Sequence, residues 1–480
     1  MLVFFSVLQY EWRSILRAPL TLILLLLLLL AVAYAGWCGN HIVRERETAV
    51  ADILHAHRQQ LKELHQRFHA DTTTVEGKQL AAQAGLPQVV EFRCPPVATL
   101  PPLRMAALAV GQLEEWPAAI VISTKYDRLA ETDVPFTNPA LLAAGNFDLA
   151  FILVYIFPLI LIIVTHNSYA LEHERQTFRL LALQCGNSWR VVLSRIVVRF
   201  GMVWLLAVIT GILCYLLINT YAGIGLEDLL LWCYVTTLYL GCWLCFCMLV
   251  IALKKSASIS LLLLLAAWCL LAIIIPSVVS SVAAVKAPLP LPAALASEQR
   301  ECQEDTWNMP VQPLLDSFYY AHPEYAATRQ PADTAAYGNK RFVAYYDLLN
   351  RRMERISVSY QQRLLVHNNL QQQLSVFNPV TRAQQLFSAA AATNAAADAH
   401  YRQEVRLFRE QWMRFMNSYL LYNRIMPESA LQQLPVFEHQ PVPGKSSAVI
   451  NAGIPLIVML LLAGIPGILL SSDKKTNLYK

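Results

Sequence analysis

The densest chemistry in this sequence lies between Glu172 and Arg195. There Glu172, Glu174, Arg175, Arg179, Arg190 and Arg195 interrupt a chain that is 56% hydrophobic and only 15% charged. Leu171, Phe178, Leu181 and Leu183 are interleaved with these charges. Mixed charge around apolar residues suits a short amphipathic helix laid along a surface, not a catalytic centre. Other candidate sets are thin. His65 and His69 stand four apart, which puts two imidazoles on one helix face and near a shared metal. No third ligand has a telling spacing, and a solvated helix face is the favoured reading. Tyr320-Ala321-His322-Pro323-Glu324 sets a His and a Glu two apart across a proline, unlike the metalloprotease helix motif. Gly444-Lys445-Ser446 imitates the end of a phosphate loop, but His439 stands where the first glycine belongs. No Gly-x-Ser-x-Gly elbow occurs. The reading is that this chain holds no catalytic residues, no cofactor site and no metal site, with a triad scattered through the outward domains as the alternative.

The elements that must position the charged stretch are membrane spans. Apolar runs near 20 residues place them at 18–37, 147–170, 197–219, 229–253, 259–279 and 448–470. Arg175, Arg179, Arg190 and Arg195, the pair Lys254-Lys255 and the tail lysines Lys474 and Lys475 all fall on one side. The short loop on the other side carries Glu227 and Asp228 and no Lys or Arg. The positive-inside rule therefore makes 171–196 a cytoplasmic coupling region and 471–480 a cytoplasmic tail, with both termini inside. The net charge of +5 reports this topology and not nucleic-acid binding. In residues 1–17, Phe4, Phe5, Leu8, Trp12 and Leu16 fall near helical spacing, which suits an interfacial amphipathic helix resting on membrane lipid. Ala33-Tyr34-Ala35 before Gly36 has the pattern of a signal-peptide cleavage site, but the length of the apolar run favours an uncleaved span.

The fold class is thus an α-helical polytopic membrane protein, with six transmembrane helices and two large, mainly helical extracytoplasmic domains. The first, 38–146, opens on a heptad-like seam (Val43, Val50, Leu54, Leu61, Leu64, Phe68) and carries one strand at 118–123, so an α+β domain is expected. The second, 280–446, is helical. Phe342, Tyr346, Leu349, Met353, Ile356 and Tyr360 form one stripe, and Tyr401, Val405, Phe408, Trp412, Phe415 and Tyr419 another. These stripes bury against each other or against the first domain. Asn378-Pro379 reads as an N-cap and first helical position. Of the ten cysteines, Cys38, Cys94 and Cys302 fall in outward regions, and Cys38–Cys94 is the favoured disulfide.

Glu172-His173-Glu174-Arg175-Gln176-Thr177-Phe178-Arg179-Leu180-Leu181 resembles the Glu-Arg-Glu-x-Gly-Thr-Leu-Arg-Leu-Leu signature of ABC-2 type transporter permeases. It departs from that signature at His173, Gln176 and Phe178. The whole chain, with its two large outward insertions and Leu434-Pro435-Val436-Phe437, is similar to the DUF3526 group of those permeases. The resemblance implies a membrane subunit that is not itself an enzyme, with ATP and Mg in a partner. A cytoplasmic ABC ATPase dimer would dock on Glu172, Glu174, Arg175, Thr177, Phe178, Arg179, Leu181 and Arg190, and a second permease copy or sister permease would complete the complex. An envelope protein or cargo would meet the outward domains, and the inner (cytoplasmic) membrane of a bacterium is the implied location. Independently, spans four and five carry no Asp, Glu, His, Lys or Arg in their interiors. Driven transport without such groups needs energy from elsewhere. A second expectation is ATP-driven mechanical work on an envelope partner without passage through the chain; a closed, leucine-packed bundle would favour it.

Overall fold

The computed structural model describes residues 10–11, 19–125, 147–174, 188–218, 225–328, 339–422 and 424–462. Five helices among them are long and apolar enough to cross a membrane, the mark of a multi-pass membrane protein. They lie in α1 (Pro19–Phe68), α6 (Ser188–Leu217), α7 (Leu226–Ala252), α8 (Ala257–Lys286) and α15 (Lys445–Leu462). The second expected span is a shorter apolar helix, α4 (Leu149–Thr165). At about 1.5 Å per residue its 17 residues reach about 26 Å, just under a hydrocarbon core of about 30 Å. The chain then turns through His166–Tyr169 into the separate short helix α5 (Ala170–Glu174).

Helix α7 is the innermost. Of its most apolar stretch 61% is buried, against at most 28% for the other four. Its Trp232 lies against Gly211 of α6, where a Cβ would come within 2.2 Å of the indole Nε1, so only glycine permits this approach. At its first turn Asp228 pairs with Lys445 Nζ at 2.7 Å, and Glu227 accepts a hydrogen bond from Ser446. The phosphate-loop imitation is therefore a clasp between the starts of α7 and α15, with Gly444 in the left-handed region at φ 66°.

Two helices carry a π-helical turn, Ile152–Ile156 in α4 and Leu270–Ile274 in α8. Each runs into a proline, Pro158 or Pro276, whose missing N–H leaves a carbonyl of the π turn without a helical partner, and an apolar bundle must satisfy it from elsewhere. Tyr239 of α7 donates its hydroxyl to the Val154 carbonyl, and Asn378 Nδ2 donates to the Leu271 carbonyl at 2.8 Å.

Beyond the bundle, α1 continues unbroken to Phe68. Helices α2 (Val75–Ala84) and α3 (Pro87–Arg93) follow, then a two-stranded antiparallel ribbon of β1 (Val97–Thr99) and β2 (Ala119–Val121) with Ala98 opposite Ile120. Arg46 of α1 holds the ribbon's connection by donating to the carbonyls of Leu113, Trp116 and Pro117, each at 2.8 Å. Cys38, Cys94 and Cys302 are free. Cys94 lies beside His57, nineteen residues along α1 from Cys38, or about 28 Å at helical rise, so the favoured disulfide is out of reach.

The 280–446 region divides into two. Helices α9 (Pro292–Trp307), α10 (Val311–Ala321) and the first half of α11 (Asn339–Leu374) form a lobe around Leu314, Leu315, Phe318, Tyr345 and Leu349. Helix α12 (Pro379–Ala390), α13 (Ala395–Leu420) and α14 (Glu428–Leu431) instead share one core with the 38–125 region and the apolar helices. The α13 stripe packs on the ribbon, where Tyr401 donates to the Ala98 carbonyl at 2.9 Å, while α11 packs under α9 and α10 through Tyr345, Leu348 and Leu349, with Phe342 of the expected stripe exposed. Helix α12 is set among the apolar helices. Phe387 meets Trp232 of α7 at 4.6 Å between ring centroids, and Tyr155 of α4 donates to Gln384.

In the lobe, His322 ends α10 and bridges Asp347 of α11 at 2.8 Å and Glu324 at 3.3 Å, while Asp347 also takes Arg351 at 2.7 Å. The hydrogen bond to Asp347, foremost, raises the His322 pKa above its usual value. Stability from this contact is complete below the unfolded imidazole value, about 6.5, and is lost as pH rises through the raised folded value. The lobe is expected to melt several degrees higher at pH 6 than at pH 8.5, and Asp347→Asn should flatten that difference. Proteolytic nicking of the lobe against temperature measures it; an equal pH response in wild type and Asp347→Asn contradicts the assignment.

Candidate coupling site

Of the predicted coupling residues, Glu172, Glu174 and Arg190 lie at the end of the bundle where α4 stops and α6 and α8 begin. Glu174, in the last turn of α5, accepts a hydrogen bond from the backbone N–H of Ala257 at 3.2 Å. A helix start leaves N–H groups without intrahelical partners and carries partial positive charge, so the carboxylate is well placed at the first turn of α8. Ser256 caps the same turn through Ile259 N–H. Glu174 therefore already links the α5 segment to α8. Glu172 lies in α5 and Arg190 in the first turn of α6, with their side chains outside the described residues. Arg175, Thr177, Phe178, Arg179 and Leu181 fall wholly outside them.

Next to this segment is a charge cluster that spacing alone did not assemble. Glu11 is fully buried between two arginines of α6, with Arg195 Nε at 3.2 Å and Arg199 Nε at 2.7 Å from its two oxygens. Arg199 Nη1 also donates to the Val164 carbonyl and to Asn167 Oδ1, both at 2.7 Å, and to Ser168 Oγ at 3.3 Å. Val164 is in the last turn of α4, whose carbonyls have no partner within the helix. One guanidinium thus ties the N-terminal segment, the end of α4 and α6 together. The Arg195 guanidinium lies over the Tyr10 ring at 5.8 Å. An apolar patch of Tyr169, Val192, Ile196 and Ile251 packs beside it and joins α7. The signal in the sequence was the i, i+4 pair Arg195 and Arg199 at the start of an apolar helix, where two such charges need an acid. Nothing local named Glu11 as that acid.

Chemically, this cluster is a rigid joint. Two cations and one anion, all nearly desolvated, hold three segments in one arrangement, and the exposed Glu174 lies on the short helix that follows it.

The histidine pair of α1 has a shared carboxylate partner. His65 and His69 both reach Glu428 Oε1, at 3.2 and 2.9 Å, so the carboxylate oxygen itself fills the point where the imidazoles converge. The His65 contact, foremost, holds the Glu428 carboxyl below its usual range. Among the described residues no group of three or more His, Cys, Asp or Glu is arranged to hold a metal.

Residues 293–440 match the family model described as a domain of unknown function, DUF3526. The match covers the lobe, α12, α13 and α14. No curated protein and no solved structure matches the chain.

Proposed function

We propose that this chain is the membrane permease subunit of an ABC-2 type transporter of the DUF3526 group. ATP hydrolysis in a separate cytoplasmic ATPase dimer drives movement of a substrate across the inner membrane of a bacterium. The observation that carries the reading is the meeting of three features at one end of the bundle. These are the start of the charged run at Glu172–Glu174, the Glu174 contact with the start of α8, and the Glu11–Arg199 joint. A load taken by the α5 segment reaches α8 through Glu174, and α4 and α6 through Arg199. In this reading α4 is the second of six spans, both termini are cytoplasmic, and the 38–146 and 280–446 regions are extracytoplasmic. A second copy or a sister permease completes the membrane part.

A second reading has one observation in its favour. Helix α12, with Val380, Ala383, Leu386 and Phe387 all buried, fills the space among α4, α7 and α8. A bundle stopped in this way suits a complex that works on an envelope partner by moving its outward parts.

The test is recovery of the detergent-solubilised chain from its native membrane, with mass spectrometry and an ATPase assay. An ATP-binding subunit should come with it and be lost when Glu174→Lys and Arg179→Glu are combined, with ATPase activity in the eluate falling at least tenfold. Recovery of the chain alone, without ATPase activity, overturns the permease reading.

A further inference from the structure

Helix α11 is one unbroken helix of 36 residues, about 54 Å long. Its first half belongs to the lobe, with Ala344, Tyr345, Leu348 and Leu349 buried there. Its second half leaves the lobe and passes the end of α8, where His367 Nδ1 bonds the Ala287 carbonyl at 2.9 Å. Only residues 375–378 separate it from α12. The last of them, Asn378, is 3% exposed and does two things at once. Its Oδ1 caps α12 by accepting from Val380 N–H at 3.0 Å, and its Nδ2 satisfies the carbonyl of Leu271, which Pro276 leaves without an N–H partner in α8.

The other end of α12 is fixed differently. Thr393 Oγ1 donates to the Ala109 carbonyl at 2.9 Å, and Gln112 N–H donates to the Thr393 carbonyl at 3.1 Å. Gly111, at φ 54°, leaves no room there, since a Cβ would meet Thr393 Oγ1 at 2.5 Å. Ala392, between α12 and this anchor, is held at φ 55°, a left-handed conformation that is strained for a residue with a Cβ. Helix α12 therefore has a rigid rod at one end and a strained pivot at the other.

The geometry points to α11 as a mechanical linkage: a displacement of the lobe lifts Asn378 from Leu271 and swings α12 out of its seat about Ala392. A flexible connection would absorb the displacement, but a continuous helix of this length carries it. Gln362 and Arg363 are exposed on the free part of the rod, and changing them disturbs neither the lobe core nor the α12 seat. The linkage needs nothing of the proposed transport, so it stands or falls separately.

The experiment is hydrogen–deuterium exchange with mass spectrometry on the full chain in lipid nanodiscs. Phe318→Ala loosens the lobe core without touching α12. Exchange over 380–390 is expected to speed up at least tenfold in that variant. Adding Gln362→Gly and Arg363→Gly should return α12 to near its wild-type rate while the lobe stays fast. Coupling between two sites is reciprocal, so Asn378→Ala, which leaves the lobe intact, should speed exchange over 311–321 as well as over α12. Wild-type exchange at α12 in Phe318→Ala, no effect of the glycine pair, or an unmoved lobe in Asn378→Ala would each overturn the linkage. The last arm decides the matter if Phe318→Ala fails to fold.

Discussion

Glu11→Ala is expected to destabilise the protein by about 3–5 kcal/mol, the usual cost of breaking a buried ion pair from one side. The carboxylate has no exposed surface, and Arg195 and Arg199 are each only 12% exposed at the side chain. Removing Glu11 leaves two arginines facing each other one helical turn apart. Arg199 keeps its bonds to Val164, Asn167 and Ser168, so the joint should loosen at the N-terminal segment first. Glu11→Gln keeps the shape but not the charge and should fall between. Thermal melts of the solubilised protein should therefore rank wild type, then Glu11→Gln, then Glu11→Ala. If Glu11→Ala melts with wild type, the cluster is not a joint.

The other large effect is expected in α13. Trp412 has no exposed surface, and among the described residues its Nε1 has no hydrogen-bond partner. Trp412→Ala should cost about 3–5 kcal/mol through lost burial and the cavity left behind. Trp412→Phe should cost much less, because it keeps an aromatic ring and removes a buried N–H that nothing satisfies, itself an expense of about 1–3 kcal/mol. Denaturant unfolding of the two variants side by side measures this. Equal losses would mean that the indole N–H has a partner in solution.

Much of this architecture was legible from residue pattern. The apolar runs are long, and the stripes Phe342–Tyr360 and Tyr401–Tyr419 keep helical spacing throughout, so α11 and α13 followed from periodicity. What each stripe packs against did not follow. An apolar stripe looks the same whether it meets a sister helix or a β ribbon, and the two helices took different partners. Helix α12 is the sharpest case. Val380, Ala383, Leu386 and Phe387 make an ordinary amphipathic pattern, and their place beside Trp232 depends on a chain path no local signal encodes. At the end of the bundle where α5 meets α8 the charged residues were visible by composition, whereas the contact between Glu11 and Arg199 was not. Glu11 and Arg199 are 188 residues apart, and a pairing over that distance is a property of the fold.

The two π turns have a consequence for how α4 and α8 are divided. Each amounts to one residue more than a regular helix needs, and one residue is about 100° of rotation. The residues after Ile274 are therefore out of phase with those before Leu270, and the two halves of α8 present different sides to their surroundings. Deleting one residue within 270–274 would bring the halves back into phase. It would also turn the whole 275–286 segment to a new azimuth, while Pro276 would still leave a carbonyl of the preceding turn without an N–H. Helix α8 is therefore best regarded as two helices in series, keyed to each other at one point by Asn378.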